Sequence, residues 1–344
     1  MPAFVADMDF AVAPAVQHVI ERLVARNDYG YGRMEDEERV ANAFARRMRA
    51  RYGWEVDSEL TLCPIDVVQG IVAAIVALTS PGDGIVAQTP VYPPFLKAVE
   101  NTGRRVVENP LVDDGRRFVV DADGLRSAID AGTRMILLCN PHNPTGRVLT
   151  RDELDTIASI AVERDLVIVS DEIHSELLYP PARHVPIASL GSDVAARTVT
   201  LTSATKAFNI AGLRCSVAAF GGAALRDRFV AHVPDHLLGR PNRLGVEATI
   251  TAWAEGDEWL ERVLGYLDRN RRRVTETVGA AGMRHHAPEG TYLAWLDCTA
   301  LDLQGASPYE FFLDGAKVAL SDGAVYRVFR DRDTDGWFID AIVD

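Results

Sequence analysis

The chain has 344 residues, 48% of them apolar, and its 36 basic and 49 acidic side chains leave a formal net charge of −13. That length supports one large domain and a smaller one, while the acidic balance excludes nucleic acid and anionic membrane surfaces as partners, since neither finds a basic face to meet. No stretch reaches the roughly 18 apolar residues of a membrane span, the acidic start at Asp7 and Asp9 is not that of a signal peptide, and Cys63, Cys139, Cys215 and Cys298 are spaced like reduced, buried residues of a cytoplasmic protein.

A short apolar run, a turn and an amphipathic helix recur along the chain. Met135-Ile136-Leu137-Leu138-Cys139 predicts a buried strand that ends at the turn formers Asn140-Pro141. Thr150-Arg151-Asp152-Glu153 is a capping box, followed at helical spacing by Leu154, Ile157, Ala158 and Ala161. Leu166-Val167-Ile168-Val169 predicts a second strand ending at Ser170-Asp171-Glu172, and Thr198-Val199-Thr200-Leu201 a third, just before Ser203-Ala204-Thr205-Lys206. Beyond about Gly245 long amphipathic helices follow, with Trp253, Trp259, Leu260, Leu264 and Leu267 on their apolar side, Arg271-Arg272-Arg273 as a solvated face, and a strand over Tyr292-Leu293-Ala294-Trp295-Leu296. The expected division is an N-terminal segment over residues 1–35, a large domain over 36–244 and a small domain over 245–344.

Strand–helix–strand units imply a mainly parallel sheet covered on both faces, with ligands gathered beyond the carboxyl ends of its strands. Asn143, Asp171, His174, Ser203 and Lys206 all fall there. Such a set meets the needs of pyridoxal phosphate (PLP) chemistry: an amine for the imine, a carboxylate for the ring nitrogen and a donor for the ring oxygen. Taken singly, Lys206 also fits a surface turn, Asp171 a helix N-cap and Asn143 a turn residue. No Gly-x-Gly-x-x-Gly follows an early strand, which argues against a dehydrogenase, and the histidines show no metal-ligand spacing.

Asn143-Pro144-Thr145-Gly146, Asp171-Glu172-Ile173-His174 and the string from Ser203-Ala204-Thr205-Lys206 to Ala207-Phe208-Asn209-Ile210-Ala211-Gly212-Leu213 resemble the aspartate-aminotransferase-like, fold-type I PLP enzymes of aminotransferase class I/II. Ala6-Asp7-Met8-Asp9-Phe10, Pro90-Val91-Tyr92-Pro93-Pro94-Phe95 and Cys139-Asn140-Pro141-His142-Asn143 resemble their MalY/PatB-type cystathionine β-lyase branch. The resemblance implies an α/β fold whose large domain holds a mainly parallel seven-stranded sheet, beside a smaller α+β domain.

It also implies roles. Lys206 is the Schiff-base lysine and the acid/base at the substrate Cα; Asp171 pairs with the pyridine nitrogen, Asn143 with the ring oxygen, and Tyr92 stacks on the ring. His174 stands where relatives often carry a tyrosine; Ser203, Arg214 and the amides of Val67 and Val68 hold the phosphate; Tyr31 reaches the phosphate of the partner subunit in a homodimer with shared active sites. Tyr92 and Tyr31 also fit ordinary packing, His174 a structural histidine and Arg214 a surface charge. The implied reaction is β-elimination from a sulfur amino acid such as L-cystathionine or a cysteine conjugate, giving pyruvate, ammonia and a thiol; an aminotransferase, or a catalytically weakened regulatory protein, would use the same residues.

Two departures stand out. The N-terminal segment before Ala6 is shorter than the family's. After Val318-Ala319-Leu320-Ser321-Asp322-Gly323-Ala324 the family continues to an Arg-x-Asn that grips the substrate carboxylate and to a closing helix. Here the chain reads Val325-Tyr326-Arg327-Val328-Phe329-Arg330-Asp331-Arg332. No arginine is assigned as the clamp, and the expectation is retained cofactor binding with weakened substrate affinity.

Overall fold

Seven strands form the central sheet of the computed structural model: β1 (Thr61–Leu62), β2 (Gly84–Ala87), β3 (Arg105–Glu108), β4 (Thr133–Cys139), β5 (Val167–Asp171), β6 (Thr198–Thr202) and β7 (Val217–Phe220). Their order is β1-β7-β6-β5-β4-β2-β3; the four pairings from β6 to β3 are parallel, and β7 and β1 add antiparallel at one edge. The structure describes residues 6–33, 35–234, 236–303, 305, 311, 325–330 and 337–342, the last two spans as backbone only. Arg327 and Arg330 lie on such backbone, and Arg332 and residues 1–5 lie outside the described residues.

The central strands are buried on both faces: β4 and β5 read mainly as apolar runs, while β6 alternates buried threonine with Val199 and Leu201. Alternate residues of β4 point opposite ways. Met135 and Leu137 pack with Ile71 and Ile75 of α3 (Val67–Leu78), with Phe95 of α4 (Pro93–Asn101) and with Phe229 of α6 (Ala223–His232). Ile136 and Leu138 pack with Leu154, Ile157 and Ile160 of α5 (Arg151–Glu163). Helix α5 starts at the expected capping box: Glu153 N donates to Thr150 Oγ1, and the Glu153 carboxylate takes the Thr150 N–H. Helix α3 lies so close on β6 that a Cβ on Gly70 would stand 2.9 Å from Leu201 Cδ2, which holds that helix N-terminus against the sheet edge.

A third core joins α1 (Pro14–Ala25), α2 (Asp36–Tyr52), α7 (Arg243–Glu255) and α8 (Asp257–Ala280) around Phe44, Phe208, Trp253 and Leu260. Beside it, β8 (Leu293–Ala294), β9 (Val325–Arg330) and β10 (Trp337–Ile342) form an antiparallel sheet. The strand expected over 292–296 is broken at Trp295, because Leu296–Asp297 pairs instead with Arg284–His285. Arg271 is not on a solvated face either. It ion-pairs with Asp268, donates to Pro288 O and lies 4.6 Å over the Tyr179 ring, while Arg272 stays exposed.

Arg47 ties α2 to the sheet domain. Its Nε donates to Glu176 Oε1 at 2.7 Å, its Nη1 donates to Trp253 O at 3.1 Å, and its guanidinium pairs with Asp257 at 2.6 Å. Arg47 and Glu176 are both buried, so removing Arg47 leaves the Glu176 charge in low dielectric with only the more distant Arg51, at 3.3 Å, against it. Arg47→Met is expected to lower the urea-unfolding free energy by about 3 kcal/mol. Arg49→Ala, which breaks the exposed pair with Glu55, is expected to change it by no more than about 0.5 kcal/mol.

Candidate active site

Parallel pairing sets the carboxyl ends of three strands side by side. Cys139 of β4 is in register with Asp171 of β5, and Asp171 with Leu201 of β6. The chain leaving each end stays hydrogen-bonded to its neighbour: Asn140 N donates to Asp171 O at 3.0 Å, and Glu172 N to Leu201 O at 2.8 Å. A cavity of about 350 Å³ opens beyond these ends, within the size range of small-molecule sites. Its wall includes Val67, Val68, Tyr92, Asn143, Asp171, His174, Ser203, Lys206 and Arg214, so all but one of the residues expected from the sequence converge there. Tyr31 is the exception, fully exposed and outside the cavity wall.

Asp171 is buried, and no helix follows it, so it is not an N-cap. Its Oδ1 accepts from Ile173 N at 3.0 Å. Burial pushes its carboxyl up to about 7; the Ile173 amide pulls down, the nearby Glu172 charge pushes up and Lys206 pulls down. His174 is buried too, and burial followed by the Lys206 charge depresses it to about 3, so the imidazole is neutral. Its ring meets Tyr292 edge-on at 6.0 Å. Burial, then the Asp171 charge, raises the Cys139 thiol well above its usual range.

Lys206 Nζ donates to Ala6 O at 2.6 Å, and the Tyr292 hydroxyl donates to the same oxygen at 2.8 Å. Tyr92 caps α4, and its N–H donates to Asn143 O at 3.2 Å, which joins the aromatic to the Asn143 loop. That loop is braced by Arg147, which pairs with Glu153 at 2.6 Å and also with Glu289. At the far end of the cavity Asp66 caps α3 through Gln69 N, leaving the Val67 and Val68 amides in the first turn. Arg214, in the left-handed region at φ +43°, reaches Asp66 Oδ2 at 3.4 Å. The Ser203 hydroxyl donates to Cys215 O at 2.5 Å and accepts from Thr205 N at 3.1 Å, so its proton must turn before it can serve a phosphate.

Sequence reading missed a buried brace behind Asp171. Glu172 Oε2 meets His184 Nε2 at 2.8 Å, Glu172 Oε1 accepts from Ser170 Oγ at 2.9 Å, and His184 Nδ1 lies 3.4 Å from Asn140 Nδ2. The consecutive polar residues Ser170, Asp171 and Glu172 on a buried strand were its only local signal. Ile173, Thr205, Cys139 and Cys215 on the cavity wall were missed as well.

The donor set fits PLP. Two buried polar atoms on the cavity wall, Asn143 Oδ1 and His174 Nδ1, have no partner among the described residues. A carboxylate stands where a ring-nitrogen proton would neutralise it, and a helix N-terminus with an arginine beside it offers an anion cradle. The aminotransferase class I and II family matches residues 5–338 of the chain. Cystathionine beta-lyase PatB from Bacillus subtilis is 34% identical over 330 residues, covering 95% of this chain and 84% of its own length. Among solved structures, that of OvoB is 34% identical with a TM-score of 0.88, covering 99% of this chain and 87% of that one. Cystalysin from Treponema denticola, which contains a pyridoxal 5'-phosphate cofactor, is 31% identical with a TM-score of 0.87, over 94% of this chain and 82% of its own. With strand order, site chemistry and sequence all in agreement, this chain belongs to the aminotransferase class I and II family.

Proposed function

We propose that the chain is a PLP-dependent carbon–sulfur lyase that acts on L-cystathionine or a cysteine conjugate and releases pyruvate, ammonia and a thiol. The observation that carries it is the meeting of Lys206, Asp171, Asn143 and Tyr92 on one buried cavity, in a chain similar over 95% of its length to a cystathionine β-lyase. PLP supplies an electron sink conjugated to the substrate's Cα. Asp171 would hold a proton on the ring nitrogen, Asn143 would donate to the ring oxygen, and Tyr92 would cover the ring. Val67, Val68, Arg214 and Ser203 bind the phosphate, and His174 stays neutral beside the ring oxygen. Lys206 would hold the cofactor and, as a free amine, would take the Cα proton. The sulfur leaves as a thiolate, and water completes the conversion to pyruvate and ammonia.

The large domain over 36–244 provides this machinery, beside a small one over 245–344. The protein works as a cytoplasmic homodimer in which the exposed Tyr31 ring reaches the partner's phosphate site. The four free, buried cysteines support the reducing compartment.

Purified protein with saturating PLP and no keto acid is expected to release pyruvate from L-cystathionine, and Lys206→Ala to lower the rate by at least about 10³-fold. Turnover that appears only when a keto acid is supplied would make it an aminotransferase instead.

Asp171 adds a pH dependence. Its folded-state carboxyl, at about 7, binds a proton more tightly than in the unfolded chain, at 3.8. The cofactor-free fold therefore loses stability as pH rises from about 4 through 7. In urea melts at pH 8, cofactor-free Asp171→Asn is expected to be more stable than the parent by roughly 3 kcal/mol. At pH 4 the two should agree, and bound PLP should reverse the order at pH 8, because only the carboxylate balances a protonated ring.

Sedimentation is expected to give twice the chain mass. Tyr31→Ala should weaken PLP binding, and mixing it with Lys206→Ala should restore tight binding to the hybrid's one site that combines both native residues.

A further inference from the structure

The segment from Ala6 to Ala11 runs from the cavity to α8 and is tied down along its length. Met8 N donates to Asn209 Oδ1 at 3.0 Å, and Asn209 Nδ2 donates to the carbonyls of Met8 and Phe10, both at 2.7 Å. Trp259 Nε1 donates to Ala11 O at 3.1 Å, and Phe10 meets Tyr266 edge-on at 5.2 Å. The inner end, Ala6 O, takes the Tyr292 hydroxyl and Lys206 Nζ. Asn209 follows Lys206 by three residues and sits at φ +56°, a left-handed conformation that asparagine tolerates better than most side chains. The residue that grips the strap and the amine that touches it therefore belong to one short loop.

We propose that Asn209 and Tyr292 are positioning residues that fix the Ala6 carbonyl as a resting point for the Lys206 amine, holding and aiming it whenever it is not bonded to the cofactor. The inference rests on Lys206 being the reactive lysine. One N–H committed to a fixed carbonyl removes the rotational freedom of a flexible amine, so that the Cα proton meets an oriented base once the amine has lost its extra proton. The same carbonyl favours the ammonium form, because a cation donates to oxygen more strongly than a neutral amine does. The other groups facing this amine are the Asp171 carboxyl, the neutral His174, the protonated Cys139, Tyr92, Arg214 and, across Ala6, Tyr292. Asn209 is not on the cavity wall and reaches the amine only through the strap.

The chain has three lysines, Lys97, Lys206 and Lys317, so the amine can be titrated directly. In the cofactor-stripped full chain, brief acetylation at a series of pH values, read by mass spectrometry, gives a midpoint for Lys206 with Lys97 as internal reference. Asn209→Gly keeps the left-handed conformation and adds no charge near the amine, but loses both donors to the strap and the acceptor for Met8 N. Its Lys206 midpoint is expected to fall by about one unit, and in the reloaded enzyme kcat by about tenfold with KM within about twofold. Tyr292→Phe, which keeps the ring beside His174, is expected to reproduce the loss in kcat. An Asn209→Gly protein that melts earlier yet keeps the parental Lys206 midpoint and kcat would reduce the strap to a structural tie and overturn the proposal. The acetylation midpoint needs no cofactor, so it succeeds or fails separately from the lyase reading, which stands on pyruvate release.

Discussion

The site is organised around a carboxylate that is almost entirely buried on the wall of the cavity. Asp171 ends a strand that is buried on both faces, and among the described contacts its side chain accepts only the Ile173 amide. Glu172, the next residue, adds a second negative charge behind it. A buried carboxylate with so little compensation holds a proton at neutral pH or requires a cation in front of it. The cavity lies on that side, and a protonated ring nitrogen is a cation of the right size. The fold thus keeps an unfavourable group in readiness for a ligand, a local cost that active sites often carry against the stability of the whole.

The rest of the polar interior is arranged so that this cost stays local. Glu172 is closed off by His184, Ser170 and the Ile187 amide, and Asn140, which lies against His184, also accepts from Leu149 N at 3.0 Å. His142 is held between Thr145 and Gln88 O, and burial keeps it neutral at about 4. Arg147 meets two carboxylates, and Arg47 two more. Satisfied buried networks of this kind specify one arrangement, since any other leaves a charge or amide unpaired. Two loops carrying site residues, 140–149 and 171–175, are held by these pairs rather than by regular secondary structure.

What was legible in the sequence was local or chemically restrictive. The capping box at Thr150 and Glu153 needs only residues three apart, the β4 and β5 runs need only their hydrophobicity, and β6 its β-branched alternation. Lys206, Asp171 and Asn143 each fit a turn or a cap when taken singly, and were legible as a set because three strand ends bring them toward one crevice. Arg271 was misread because its inward turn depends on Tyr179 and the Pro288 carbonyl, far away in sequence. The strand over 292–296 was drawn whole because periodicity does not reveal that its two ends pair with different partners. The Ala6 carbonyl was invisible for a simpler reason: a backbone oxygen has no sequence signature, and its partners lie 200 and 286 positions away.

The surrounding acids also bear on which bond the site is suited to break. His174, at about 3, has no proton to give at neutral pH. Cys139 holds its proton far too tightly, and burial pushes the Cys215 thiol up to about 12. None of the three helps a leaving group depart, so protonation on departure falls to a lysine that has just taken the Cα proton. A leaving group that is already stable as an anion needs no such help. A thiol, with a pKa near 8.5, meets that condition, whereas an alcohol, whose anion is a far stronger base, does not. The burial that keeps Asp171 poised for a cation therefore also silences His174, Cys139 and Cys215 as general acids, and a β-substituent that leaves as a stable anion places the least demand on Lys206.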